Sequence, residues 1–432
     1  MTANSAIARR ELLRLGVLAG LGAAFAPRLA LAAADPELLP QVKALIERWV
    51  GPGKFPGMVA ALGLPGKPPH FVMRGSEGFT DADPIGADSL FRIYSMSKPV
   101  TGMAAMLLIG EGKLKLDQPL AEILPKFAKM QVQVTPDGSI TDLRPAKTRI
   151  TIRHLLTHTA GLGYSIIQKG PIKQAMEDAG LVAGQISRVP IPGLDRGNAV
   201  KGLAAFADGM ATMPLVYEPG TKWSYSVALD VMGRVIEVVS GKPFDTFLRE
   251  RIFEPCGMNG TGFQVPAADA KRLTTNYVVV NGTFVPIDKG EDSIYLDKPP
   301  YPMGGSGLVS TPRDYDRFLL MLANYGAIDG HRVIAEEAVR MGTSNLLPPG
   351  VAGPDIGMPD GDFGAGGRVG KGLEAGIFGW AGAAGTVAMV DMKRGIRSGI
   401  YVQFMPPTAN TFLSEFQQAL KADLVALMEL RT

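Results

Sequence analysis

Ser95 and Lys98 form the only S-x-x-K in the 432 residues. A serine hydroxyl is a weak nucleophile until a neighbouring base takes its proton. On a helix, positions three apart share a face, so this spacing predicts the Lys98 amine beside the Ser95 hydroxyl. A helix-forming run follows from Met96 to about Gly110, with Met103, Met106, Leu107 and Ile109 as apolar positions. Ser95 then falls at the helix N-terminus, where free N–H groups and the dipole favour negative charge. Pro99 suits the first turn, where a missing N–H costs little. Nucleophile, base candidate and one oxyanion-stabilising N–H are predicted within about one turn. Taken alone, the motif is a weak signal and reads more readily as an N-cap serine beside a solvated lysine, so the other blocks decide.

The elements that must position this pair begin after a leader. Ala8-Arg9-Arg10-Glu11-Leu12-Leu13-Arg14 is a twin-arginine pattern, followed by an uncharged run from Leu15 to Pro27. That run is too short for the roughly 20 residues needed to span a bilayer. Arg28 and the small residues of Ala30-Leu31-Ala32 complete the pattern of a Tat-type signal peptide over residues 1–34, cut near Ala32 or Ala34, which predicts a periplasmic protein. The leader carries four of the 44 basic and one of the 41 acidic residues, so the remaining chain is balanced. Neither nucleic acid nor an anionic membrane is implied as a partner. Cys256 is the only cysteine, which excludes an intrachain disulfide.

Pro36 to Val50 has helical spacing. Gly57 to Leu64 and His70 to Met73 read as strands, and Ser89 to Ile93 leads into the nucleophile helix. Leu114 to Pro119 reads as a helix start capped by Asp117. Residues 148–162 contain a short helix with His154 and His158 four apart. No glutamate follows His154 and no third ligand is evident, so structural histidines are expected rather than a metal site. Residues 163–213 and 260–300 are irregular and suited to walling a pocket. The turn at Pro219-Gly220 delivers Tyr225 just before a helix from Ala228 to Ser240, which stops at Gly241. Ser310-Thr311-Pro312-Arg313-Asp314 opens a helix to Asn324. Residues 345–372 are Gly/Pro-rich. Gly376 to Gly382, Thr386 to Asp391 and Ile396 to Phe404 read as strands, with Lys393-Arg394-Gly395 as a turn, and Thr411 to Met428 as a closing helix. This order predicts a sheet completed by both chain ends, 35–94 and 301–432, with a helical unit over 95–300 inserted between them.

Together, Ser95-Met96-Ser97-Lys98, Ile152-Arg153-His154-Leu155-Leu156-Thr157-His158-Thr159-Ala160-Gly161-Leu162, Glu218-Pro219-Gly220 with Tyr225, and Gly304-Gly305-Ser306-Gly307-Leu308 resemble the serine β-lactamase-related superfamily. Within it the chain is most similar to class C enzymes and family VIII carboxylesterases. The resemblance implies an α/β (α+β) fold of the β-lactamase and penicillin-binding-protein type: an antiparallel sheet flanked by helices, plus an inserted all-helical domain. It implies that Ser95 is acylated, that Lys98 is base or proton relay, and that Tyr225 is base for attack and acid for the leaving group. The oxyanion hole would be the backbone N–H groups of Ser95 and Ala383. Two blocks depart from the lactamase pattern. Val227 stands where an asparagine is usual, and Trp380-Ala381-Gly382 replaces K-T-G. Losing both removes polar anchors worth roughly 1–3 kcal/mol each, while the W-x-G block with Trp380, Ala381, Gly382 and Val227 suits an apolar ester.

A serine esterase acting on short-chain carboxylic esters is therefore the expected activity. A β-lactamase or D-amino-acid peptidase acting on peptidoglycan fragments is the alternative. A non-catalytic penicillin-binding module would need broken catalytic positions, and Ser95, Lys98 and Tyr225 are all present. No G-x-S-x-G occurs, which argues against an α/β-hydrolase triad using His70, His154, His158 or His331. No P-loop, paired zinc cysteines or H-E-x-x-H occurs, so no cofactor is implied.

Overall fold

Strands from both ends of the chain meet in one eight-stranded sheet. The computed structural model describes residues 38–188, 199–354 and 360–429, so the leader lies outside the described residues. The N-terminal part supplies β1 (Gly57–Gly63), β2 (His70–Gly78) and β3 (Asp81–Pro84). The C-terminal part supplies β4 (Gly361–Phe363), β5 (Arg368–Gly370), β6 (Ile377–Ala381), β7 (Val387–Asp391) and β8 (Ile396–Tyr401). The order is β4-β5-β6-β7-β8-β1-β2-β3, and every neighbouring pair is antiparallel. Strand β1 is buried along its whole length, as its unbroken apolar run requires. Its side chains alternate: Met58, Ala60 and Leu62 enter one core, Val59 the other.

The helices Pro40–Trp49 and Phe412–Glu429 cover the first face, through Val42, Leu45, Ile46, Phe412, Phe416 and Leu420. The Asp423 carboxylate accepts the N–H groups of Gln41 and Val42 at 2.9 and 3.0 Å, capping the first helix from the last. The second face carries the helix Pro312–Ala323. Its start follows the sequence rule: the Thr311 hydroxyl accepts the Asp314 N–H at 3.0 Å, with Pro312 next. A buried ion pair, Arg397 to Asp316 at 2.8 Å, ties this helix to β8.

Three expectations need correction. The stretch 95–300 is not all-helical: Asn276–Val280 and Thr283–Asp288 form a hairpin, and Phe404–Met405 joins it in parallel. Gln131–Gln133 pairs with Leu143–Pro145 in another short hairpin. The Gly/Pro-rich 345–372 contains β4 and β5, and its glycines serve close packing. A Cβ on Gly361 would stand 2.9 Å from the Val369 carbonyl oxygen, and one on Gly364 would collide with the Gly342 carbonyl. Asp117 caps nothing; its carboxylate accepts Arg153 Nε and Nη2 at 2.6 and 2.8 Å. Inside 163–213 lie two helices, Pro171–Asp178 and Leu203–Met210. Among the described residues no helix is long and apolar enough to cross a membrane.

Candidate active site

Ser95 sits in a short 3₁₀ turn, Tyr94–Met96, directly before the helix Ser97–Gly110. That helix is buried from Ser97 to Leu108, so it runs through the core rather than along the surface. The turn is strained. Tyr94 has φ +40°, a region few non-glycine residues enter and one that gathers at functional sites. Its phenol oxygen accepts Asn276 Nδ2 at 3.3 Å, which holds the turn from the hairpin side.

Three side chains meet at the Ser95 hydroxyl. Lys98 Nζ donates to Ser95 Oγ at 3.1 Å and to the Gly305 carbonyl at 2.6 Å. The Tyr225 hydroxyl donates to Ser95 Oγ at 2.7 Å. Trp380 Nε1–H donates to the Tyr225 oxygen at 3.2 Å. The Lys98 ammonium nitrogen also lies 4.5 Å from the centre of the Tyr225 ring. Burial dominates the electrostatics. It lowers the Lys98 amine from its ordinary range, against the pull of Tyr164 and Asp230. It raises the Tyr225 phenol, against its hydrogen bonds with Ser95 and Trp380. Both groups are pushed toward their neutral forms.

Tyr225 is delivered by the block 217–226. Gly220 has φ +80°, and a Cβ there would press to 3.0 Å on His154 Nε2. The Glu218 carboxylate pairs with Arg144 and accepts the N–H groups of Lys147 and Thr148 at 2.6 and 2.8 Å, pinning the turn. His154 forms a reciprocal capping box with Thr151 at the start of the helix Ile152–Leu156. The buried His158 shares a hydrogen bond with Ser226 at 2.9 Å, and its ring lies 4.9 Å from that of Tyr225. Both histidines position the tyrosine block. Among the described residues no group of three His, Cys, Asp or Glu could hold a metal ion. Trp223 stacks on Tyr225 at 5.9 Å and 22°, with Tyr164 at 5.9 Å on the same ring.

The end of β6 presses on the nucleophile turn. A Cβ on Gly382 would collide with the Ile93 carbonyl oxygen, so glycine is required there. Ala383 follows and packs in one cluster with Tyr94. Among the described residues neither the Ser95 nor the Ala383 N–H is engaged by a backbone carbonyl across a turn or loop. Two of the predicted substrate contacts are buried. Val227 is 0% exposed in the core and offers no surface. Trp380 is 2% exposed, with its N–H turned onto Tyr225. Only Ala381 of that group keeps partial exposure. Asp230 was absent from the sequence-predicted set; it lies buried in the first turn of the helix Ala228–Ser240.

The family model for beta-lactamase matches residues 42–422. An uncharacterized protein of Mycobacterium tuberculosis, MT1414, is 36% identical over 273 residues, covering 62% of this chain and 63% of that protein. Esterase EstB of Burkholderia gladioli is 29% identical over 282 residues, covering 61% of this chain and 65% of EstB. The chain thus spans just under two thirds of the length of these relatives. Among solved structures, EstCE1, a hydrolase with promiscuous acyltransferase activity, superposes with a TM-score of 0.73 at 24% identity, over 90% of this chain and 100% of that one. The D-amino acid amidase of Ochrobactrum anthropi superposes with a TM-score of 0.64 at 19% identity, over 92% and 100%. At such identities these two likenesses speak for the fold alone. The family match runs from the first helix described to the last, and the chain belongs to the beta-lactamase family.

Proposed function

We propose that the protein is a serine esterase that cleaves short-chain carboxylic esters through an acyl-enzyme on Ser95. The observation that carries this reading is the Ser95 oxygen, 3.1 Å from the Lys98 amine and 2.7 Å from the Tyr225 hydroxyl. Lys98, driven toward its neutral form by burial, takes the Ser95 proton as the oxygen attacks the ester carbonyl. The N–H groups of Ser95 and Ala383 hold the negative charge that develops on the carbonyl oxygen. The intermediate collapses with cleavage of the bond to the alcohol oxygen. Tyr225, neutral because buried, gives its proton to that oxygen, and the extra proton on Lys98 replaces it. Water then repeats the sequence in reverse, releasing the acid. Trp380 donates to the phenol oxygen and so keeps the phenol proton aimed at the reaction centre.

Esters are favoured over lactams by the two departures. The buried Val227 offers no amide, and the Trp380 N–H is already engaged. The test pairs p-nitrophenyl butyrate with nitrocefin. Butyrate turnover with an acyl adduct on Ser95 by intact mass is expected, lost in Ser95→Ala with the melting temperature unchanged. Turnover retained by Ser95→Ala, or faster turnover of nitrocefin, overturns the reading. We further propose periplasmic export through the leader. Arg9→Lys with Arg10→Lys should leave precursor in the cytoplasmic fraction, and normal export of that variant would reject a twin-arginine route.

A further inference from the structure

Four contacts clamp the glycine loop 304–307 between the helices Ser97–Gly110 and Ala228–Ser240. Thr101 Oγ1 donates to the Gly304 carbonyl at 2.7 Å, and Lys98 Nζ to the Gly305 carbonyl at 2.6 Å. The Leu308 N–H donates to Ser97 Oγ at 3.1 Å. The Gly305 N–H donates to Asp230 Oδ1 at 3.0 Å. A Cβ on Gly305 would stand 2.6 Å from Asp230 Oδ2, so a side chain there would displace the carboxylate. One glycine therefore links the amine facing the nucleophile to a carboxylate behind it. That carboxylate is 2% exposed. A charge so placed is costly unless another answers it, and the cation acting on Asp230 is Lys98.

We infer that Asp230 is a positioning residue for Lys98: it fixes the Gly305 carbonyl against the amine and supplies the negative charge that sets the pH at which the amine is free. This rests on Lys98 being the base of the proposed esterase. The other titratable groups around the pair are Tyr164, which acts on Lys98, and Tyr225 and Tyr301, on which Asp230 acts. The amine acts on His158, which burial holds neutral. Burial keeps Tyr225, Tyr301 and His158 uncharged near neutrality, so Asp230 is the carboxylate of the group. Burial raises its carboxyl to about 6. The carboxyl and the amine therefore titrate as a pair. Remove the carboxylate and one of the two pulls on the Lys98 proton is gone, so the free amine persists to lower pH.

Asp230→Asn keeps the shape and an acceptor for the Gly305 N–H but removes the charge. Its rate of Ser95 labelling by a fluorophosphonate, followed by intact mass from pH 4 to 9, is compared with that of the parent. The acid limb is expected to move toward acid by about one unit or more. Asp230→Glu, which restores the charge, should move it back. An unmoved limb, or equal limbs in the Asn and Glu variants, overturns the inference and points to a packing role. If Asp230→Asn does not melt cooperatively, Asp230→Ser repeats the test with a smaller uncharged acceptor. The labelling needs no particular ester, so a wrong substrate assignment leaves the limb measurable. Labelling that survives Ser95→Ala would instead count against the esterase itself.

Discussion

Arg92 and Lys98 are two buried cations six residues apart, and their surroundings could hardly differ more. Arg92 is fully buried and fully answered. Its Nε donates to Asp288 Oδ2 at 2.7 Å, its Nη2 to Ser293 Oγ at 2.9 Å, and its Nη1 to the Thr274 carbonyl and to Gln403. Gln403 in turn donates to the Arg92 carbonyl at 3.1 Å. Lys98, 1% exposed, touches no carboxylate and has a hydroxyl, a carbonyl and the Tyr225 ring for its amine. Complete pairing keeps a buried charge in place and makes it a structural tie; incomplete pairing leaves the charge easy to lose, and a base must be able to lose it. The guanidinium fixes the strand that leads into the nucleophile turn, and the amine works on the nucleophile.

Substitutions can break or sharpen this contrast. Lys98→Met should lower ester kcat/KM by about 10²–10⁴-fold while the melting temperature holds, because no carboxylate touches the amine and Asp230, its carboxyl raised by burial to about 6, can take up a proton when the cation is gone. A large fall in melting temperature would make Lys98 structural too. Arg92→Met should do the reverse. Leaving Asp288 unanswered should cost about 3–5 kcal/mol in urea unfolding, with the folded fraction still labelled at Ser95. Loss of labelling without loss of stability would erase the distinction. Trp380→Phe keeps a ring but drops the donor, worth about 1 kcal/mol, so kcat should fall about five- to tenfold with KM unmoved. A raised KM at constant kcat would make Trp380 a substrate wall instead.

Glu77 extends the contrast to a carboxylate. It is 5% exposed, accepts the Ser89 hydroxyl, and leaves Oε2 without a partner. Burial raises its carboxyl to about 8. The folded state holds this proton between pH 4.5 and 8 while the unfolded chain releases it, so the group's stabilisation is complete below 4.5 and lost as pH rises to 8. Glu77→Gln should therefore melt about 2–4 °C above the parent at pH 9 and level with it at pH 4.5. A gain of the same size at both pH values would show that burial does not set the proton.

What could be read from the chain was local. The Ser95–Lys98 spacing needs one turn of helix, and the helix Ala228–Ser240 ends at Gly241, with φ +69°, as glycine stops predict. What could not be read was contact at a distance or direction. Asp230 in a first helical turn passes for an ordinary answer to the helix dipole, and its link to Gly305 exists only when two distant segments are packed. Asp117 before Pro119 looked like a cap because nothing local reveals Arg153. Trp380 showed its ring but not the direction of its N–H. Strands β4 and β5 are not legible in their Gly/Pro-rich stretch because strand rules reward side chains, not backbone contact.

The arrangement of the sheet also constrains the order of events at birth. Val59 pairs with Tyr401, and the amides at the start of the first helix wait for Asp423. Neither partner exists until the ribosome has passed Tyr401 and Asp423. Strands β1, β2 and β3 can pair with one another as they emerge, but the other edge of β1 stays open through elongation until β8 arrives, so the central sheet closes late and slowly, as distant pairings do.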